Sequence, residues 1–254
     1  MNHVSYKIEN YVCVIEINNP PMNILTKEFR EEFVPFMEGL KTNKEVRAII
    51  ITGSGDRAFC AGADLNEEGE LDDETVYQFI KEDNRNYDIL NEMPQPVIAA
   101  VNGYAFGGGL ELALAADIRL LSDNAKLCAA GVKVGLVVGP TRLVRLVGMA
   151  KAKEILLSGN TLTAEEADKA GLAYKVVPQD NLLEEAKQLA EKIASRAPVA
   201  VANVKESIHR AFDEDWDGAM EDEIGRFIKC QSTRDHKHAI EAFFNKEKPV
   251  FTGE

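Results

Sequence analysis

The chain has 254 residues, of which 45% are hydrophobic, and a formal net charge of −13. That length fits one large α/β domain, or a domain with a smaller appendage, and supplies a substantial core. The acidic balance argues against non-specific binding to nucleic acid or to an anionic membrane surface, although a local group of lysines can still hold a phosphorylated ligand.

Val12-Cys13-Val14-Ile15-Glu16-Ile17 reads as a strand stopped by Asn18-Asn19-Pro20-Pro21, and the weaker Tyr6-Lys7-Ile8 as its partner. Thr26 is placed to cap a helix carrying Phe29, Phe33, Phe36, Met37 and Leu40 at helical spacing, with a kink expected at Pro35. Val46–Ile51 reads as a buried strand. Asp72–Asn91 reads as a polar helix with Phe79, Ile80 and Tyr87 on its apolar face. Val97–Val101 is the next strand, followed by a glycine-rich turn, a short helix, and the strand Ile118–Leu121. From Ala150 the chain predicts helices over Ala150–Leu157, Ala164–Ala170, Leu182–Ser195, Val199–Phe212 and Trp216–Ile240. The four cysteines, Cys13, Cys60, Cys128 and Cys230, are widely spaced without metal-ligand spacing and read as reduced thiols. No apolar run is long enough to span a membrane, and Met1–Tyr6 lacks signal-peptide character, so the expected location is cytoplasmic.

The most informative stretch is Val101-Asn102-Gly103-Tyr104-Ala105-Phe106-Gly107-Gly108-Gly109-Leu110-Glu111-Leu112. Glycines at a strand-to-helix junction let a ligand approach the backbone, and the helix start directs free N–H groups at developing negative charge. Glu111, just inside that helix, is a candidate general acid/base; its plainer role is a modest stabiliser of the helix dipole. A second small-residue turn, Ala58-Phe59-Cys60-Ala61-Gly62-Ala63-Asp64-Leu65, precedes it.

With Leu156–Gly159, Leu162–Ala167, Gly171-Leu172, Val176–Pro178 and the tail Ala242–Phe251, these stretches resemble the crotonase (enoyl-CoA hydratase/isomerase) superfamily nearly end to end. The joint presence of the two turns is far more specific than a lone glycine-rich loop. The resemblance implies an α/β fold, a spiral of repeated ββα units with a helical C-terminal trimerisation region. Residues 1–195 would form the core with its acyl-CoA site, and residues 196–254 the helical region. It implies an acyl-CoA thioester as substrate, no metal, no cofactor apart from the coenzyme A within the substrate, and a homotrimer or hexamer. By motif position the backbone N–H groups of Ala63 and Gly108 form the oxyanion hole for the enolate. Such donors are worth about 3–4 kcal/mol each. Glu111 matches the first of the two water-handling glutamates, and Ala61, Asp64, Gly107, Gly131 and Gly139 fall at substrate-binding positions.

The pattern breaks in the loop Ala125–Leu143. The second glutamate position falls on Gly131, a third position that is acidic in some relatives falls on Gly139, and the loop is shortened without its Pro-Gly-Gly run. No Asp or Glu occurs between Asp123 and Glu154, so no shift of register restores the acid. Losing one acid–base partner typically costs about 10²–10⁴-fold. Glu67, Glu68, Glu70, Asp72 and Asp73 are either substitute acids or a solvated acidic face. Lys27, Lys246 and Lys248 are either contacts to the coenzyme A phosphates or plain surface lysines. His3, His209, His236 and His238 carry no motif, and Cys60 reads as a small packed hydrophobe.

Three functions therefore stand at this point. The first is a hydratase-like enzyme using Ala63, Gly108 and Glu111. The second is a one-carboxylate decarboxylase or hydrolase of acyl-CoA; decarboxylation needs the oxyanion hole and a proton source but no activated water, so it tolerates Gly131 better. The third is an acyl-CoA-binding protein without turnover.

Overall fold

The computed structural model describes residues 2–254. In chain order the elements are β1 (Val4–Glu9), β2 (Val12–Ile17), α1 (Lys27–Leu40), β3 (Ala48–Gly53), β4 (Ala58–Cys60), α2 (Leu65–Gly69) and α3 (Val76–Glu92). Next come β5 (Val97–Val101), β6 (Tyr104–Phe106), α4 (Gly108–Ala115), β7 (Ile118–Ser122), β8 (Lys126–Cys128) and α5 (Pro140–Ser158). β9 (Thr161–Thr163), α6 (Ala164–Lys169), β10 (Lys175–Val177), α7 (Leu182–Ala194), α8 (Pro198–Asp213), α9 (Trp216–Gln231) and α10 (Arg234–Asn245) complete the chain.

Two sheets organise these elements. The six-stranded sheet runs β1-β2-β3-β5-β7-β10 and the four-stranded sheet runs β4-β6-β8-β9. Three successive units, β3–β4, β5–β6 and β7–β8, each place one strand in the large sheet and the next in the small one before a helix returns the chain. The strands so stacked are parallel, β3 on β5 on β7 and β4 on β6 on β8. The result is the spiral of ββα units expected from the motifs.

β3 and β5 are buried along their whole length, as parallel strands covered on both faces must be. Their alternation divides the core. Ile49, Ile51, Val97 and Ala99 pack with Phe29, Phe33 and Met37 of α1 and Leu90 of α3. Ala48, Ile50, Ile98 and Ala100 pack with Ala186, Ala190 and Ala194 of α7, whose small residues let the helix approach the sheet closely.

Four sequence expectations are revised. α1 continues unbroken through Pro35, which lies on the exposed side where water can meet the carbonyl that proline leaves unbonded. Ile80 is not on the buried face of α3, which consists of Phe79, Asn86, Tyr87, Ile89 and Leu90. The helix expected from Ala150 begins at Pro140 and is interrupted at Gly148, with φ 72° and ψ 166°. The single helix expected over Trp216–Ile240 is two. Thr233 separates them by accepting from the His236 N–H at 3.1 Å and donating to the Cys230 carbonyl at 2.7 Å. Periodicity carries no record of such a local cap.

Asp235, buried in α10, accepts from the Thr252 and Gly253 N–H groups at 2.8 and 2.9 Å and so fastens the C-terminal tail. No described helix is long and apolar enough to cross a membrane.

Candidate active site

The site begins where β4 and β6 end. They are parallel neighbours, so the corners that follow them lie side by side. The first corner is pinned by Ala61 N–H on the Met22 carbonyl and by Leu25 N–H on the Gly62 carbonyl, each at 2.9 Å. Asn102 stitches the preceding corners together: its side chain accepts from Gly53 N–H at 3.1 Å and donates to the Gly53 and Gly55 carbonyls at 2.9 and 2.8 Å.

Close approach is what the glycines permit. A Cβ on Gly62 (φ +104°) would stand 3.1 Å from the Gly108 nitrogen, and one on Gly109 only 1.9 Å from the Cys60 carbonyl oxygen. The place of the missing Gly108 Cβ is bounded by Ala63 N at 3.5 Å and the Tyr87 hydroxyl at 2.6 Å. Neither the Ala63 nor the Gly108 N–H donates to an acceptor among the described residues. Two unpaired amides thus converge on half-buried ground at the start of α4, the arrangement that stabilises an oxyanion. Gly107 (φ +51°) precedes them with open space around it; its carbonyl accepts from Glu111 N–H at 3.1 Å.

Glu111 lies on the same side of α4 as Gly108, three residues on. It is 6% exposed. Burial pushes its carboxyl above the usual carboxylate range, the charges of Asp83 and Asp88 add to that, and Arg142 opposes it. Arg142, in the first turn of α5, donates from Nη1 to Glu111 Oε2 at 2.8 Å and from Nη2 to Asp88 Oδ1 of α3 at 2.6 Å. Glu111 Oε1 accepts no hydrogen bond among the described residues. A Cβ on Gly139, whose φ is +86°, would sit 3.1 Å from it. Glycine at 139 therefore keeps open the face of the one oxygen available to water or substrate.

Gly131 is in a different setting. It lies in a 3₁₀ turn over Ala130–Val134, buried, with its carbonyl accepting from Leu136 N–H at 2.8 Å. A Cβ there would meet the Leu136 oxygen at 2.8 Å and Val138 Cγ2 at 2.9 Å. The shortened loop thus folds over the place where a second carboxylate would be attached. Asp64 caps α2, accepting from Asn66 N–H at 2.9 Å.

The proposed substitute acids divide. Glu67 is held by Arg30 at 2.6 Å and by Lys27 N–H at 2.8 Å. Glu68 is partly buried, and burial together with the Asp83 charge raises its carboxyl. Glu70, Asp72 and Asp73 are exposed. Lys27, Lys246 and Lys248 are exposed as well. The Cys60 thiol is pushed up to about 12 by burial, which leaves it an inert packing group.

Sequence reasoning missed Arg142, Asp88, Asp83 and Tyr87. Asp83 and Tyr87 lie one turn apart on α3, and the Tyr87 hydroxyl donates to Asp83 Oδ2 at 2.6 Å. That i, i+4 pairing was a visible signal; the packing of α3 against α4 was not. A cavity of about 1210 Å³ touches the site through Asp88 and Arg142, not through Ala63, Gly108 or Glu111. Apolar side chains of α5 and α8, among them Leu146, Ile208 and Phe212, form much of its wall.

The family model described as Enoyl-CoA hydratase/isomerase matches residues 7–254. A short-chain-enoyl-CoA hydratase of Clostridium acetobutylicum is 39% identical over 98% of this chain and 97% of its own. A crotonyl-CoA hydratase of Syntrophomonas wolfei is 37% identical over 96% and 95%. The crystal structure of an enoyl-CoA hydratase from Bacillus anthracis superposes with a TM-score of 0.96 at 34% identity, covering 99% of this chain and 100% of that one. The chain belongs to the enoyl-CoA hydratase/isomerase family.

Proposed function

We propose that this family member is a hydratase-type enzyme that adds water across the C2–C3 double bond of a 2-enoyl-CoA, or removes it in reverse. The observation that carries this reading is the pair of unpaired amides, Ala63 and Gly108, beside a buried carboxylate with one oxygen free. The thioester oxygen would be held by the two N–H groups. Glu111 Oε1 would hold a water and take its proton as the C–O bond forms at C3. The electron pair of the double bond then moves onto the thioester oxygen, where the two amides stabilise the enolate. The enolate collapses on receiving a proton at C2. The names of the hydratases from Clostridium acetobutylicum and Syntrophomonas wolfei support the same substrate class.

The occupied space around Gly131 favours a second reading. Decarboxylation of an acyl-CoA also makes an enolate at the amides, but needs only a proton source and no activated water. The test is loss of the conjugated enoyl-thioester absorbance with crotonyl-CoA, run beside Glu111→Gln. Rapid loss that depends on Glu111 supports hydration. Binding without loss sends the assignment to decarboxylation, hydrolysis or binding alone.

The exposed apolar residues of the C-terminal helices, including Phe212, Trp216 and Phe227, support self-association as a homotrimer or hexamer. A cytoplasmic location fits the reduced cysteines.

A further inference from the structure

The chemistry above leaves a proton for C2 without a donor. Gly131 supplies none, and Glu111 is on the water side with Arg142 bound to its other oxygen.

We propose that the Tyr87 hydroxyl delivers this proton, resupplied by Asp83 behind it. The inference rests on the acyl-CoA reading of the site. Its basis is position. The Tyr87 hydroxyl borders the same small space beside Gly108 as the Ala63 nitrogen, and it donates to Asp83 Oδ2 at 2.6 Å. A thioester oxygen held by the two amides would have its α-carbon only two bonds away, on the side of Gly108 against which this hydroxyl packs.

Asp83 is built unlike a structural carboxylate. Its Oδ1 is buried and accepts no hydrogen bond among the described residues, and the nearest cation, Arg30 on α1, is 4.0 Å away and committed to Glu67. An unsatisfied buried oxygen is costly while the carboxyl is charged, and protonating the carboxyl relieves much of the cost. The charged or titratable groups around Asp83 are Arg30 from α1, Glu67 and Glu68 from α2, Cys60 from β4, Tyr87 on its own helix and Glu111 from α4. Two or more acids against one shared cation favour a neutral carboxyl, in line with the upward push that burial gives Asp83.

In the step, the 2.6 Å contact reverses its sense: neutral Asp83 carries its proton on Oδ2 and donates to the phenol oxygen, which turns the Tyr87 O–H toward C2. That O–H bond breaks as the C2–H bond forms, and Oδ2 gives its proton to the phenol oxygen in the same movement. Tyr87 therefore never stands as a phenolate, which its burial beside Asp83 strongly disfavours. Asp83 is left ionised and Glu111 protonated, and exchange with solvent restores both. Tyr87 is then a catalytic residue and Asp83 its positioning and proton-resupply partner.

The test is crotonyl-CoA hydration by the full-length wild type, Tyr87→Phe and Asp83→Asn, with melting temperature and pH profile recorded for each. The expected result is a fall in kcat of about 10²-fold or more in both variants, with KM changed little. The alkaline limb of the wild-type profile should be absent in Asp83→Asn. If either variant keeps wild-type kcat while Glu111→Gln is inactive, the relay is overturned and the hydratase reading stands. A lowered kcat with an unchanged pH profile and a lowered melting temperature in both overturns it as a structural contact. A wild type inert toward crotonyl-CoA overturns both readings.

Discussion

Arg142 joins Glu111 to Asp88 across three helices: one guanidinium nitrogen is 2.8 Å from the Glu111 carboxylate and the other 2.6 Å from Asp88. The guanidinium also lies 5.3 Å from the centre of the Tyr87 ring. One cation therefore fixes the orientation of Glu111, leaves Oε1 without a hydrogen bond among the described residues, and opposes the burial that would otherwise neutralise it.

Glu111→Gln keeps an acceptor for Arg142 but removes the base. Turnover of crotonyl-CoA should fall about 10²–10⁴-fold with the melting temperature little changed. Steady-state rates beside a thermal scan check this.

Removing the cation exposes the electrostatic balance. Arg142→Gln leaves Glu111 buried without its partner, so its carboxyl should titrate higher still. A base must be ionised to act, so the acid limb of kcat/KM should move to higher pH. Asp88→Asn removes a charge that raises Glu111 and should move the limb the opposite way. Parallel shifts in the two variants would contradict this account.

Gly131→Glu should not restore a carboxylate pair. Its Cβ alone meets the Leu136 oxygen at 2.8 Å and Val138 at 2.9 Å. Overpacking of this kind costs about 1–3 kcal/mol. Denaturant melts should reveal the loss of stability, and the hydration rate should not rise.

Lys205 of α8 is buried and ties the C-terminal helices to the core. It reaches Asp117 at 2.8 Å, the Leu90 carbonyl at 2.8 Å and the Gln95 carbonyl at 3.2 Å. Lys205→Met strands these acceptors and Asp117, and should cost about 3–5 kcal/mol. Adding Asp117→Asn should cost less than the two single changes summed, which a double-mutant cycle measures.

Trp216, Phe227, Phe243 and Phe244 are each more than 70% exposed in the single chain. Large apolar side chains left this exposed on the C-terminal helices fit a contact surface. Light scattering should give the mass of a homotrimer or hexamer, and replacing Phe243 and Phe244 by Ser tests whether α10 contributes.

The strands were legible because β3 and β5 are uninterrupted apolar runs, and the two small-residue corners because glycine at 62 and at 108–109 follows short strands. The break at Thr233 was not, since a side-chain cap needs no departure from helical periodicity. Ile80 has the spacing of the buried face of α3 yet opens onto a cavity, because the apolar stripe of a helix does not fix how far the neighbouring elements extend over it.

The sequence alone determined the family, the repeat, the place of Glu111 and the absence of an acid at 131. Glu111 and position 131 are each read within a few neighbouring residues, and the family from several such stretches taken in order. Only the tertiary structure decided which charges surround Glu111. Arg142 is 31 residues from Glu111 and 54 from Asp88 along the chain, and Arg30 is 37 from Glu67. Charges interact through space, and it is the packing of α1, α3, α4 and α5 around two parallel corners that turns these distant residues into one electrostatic site.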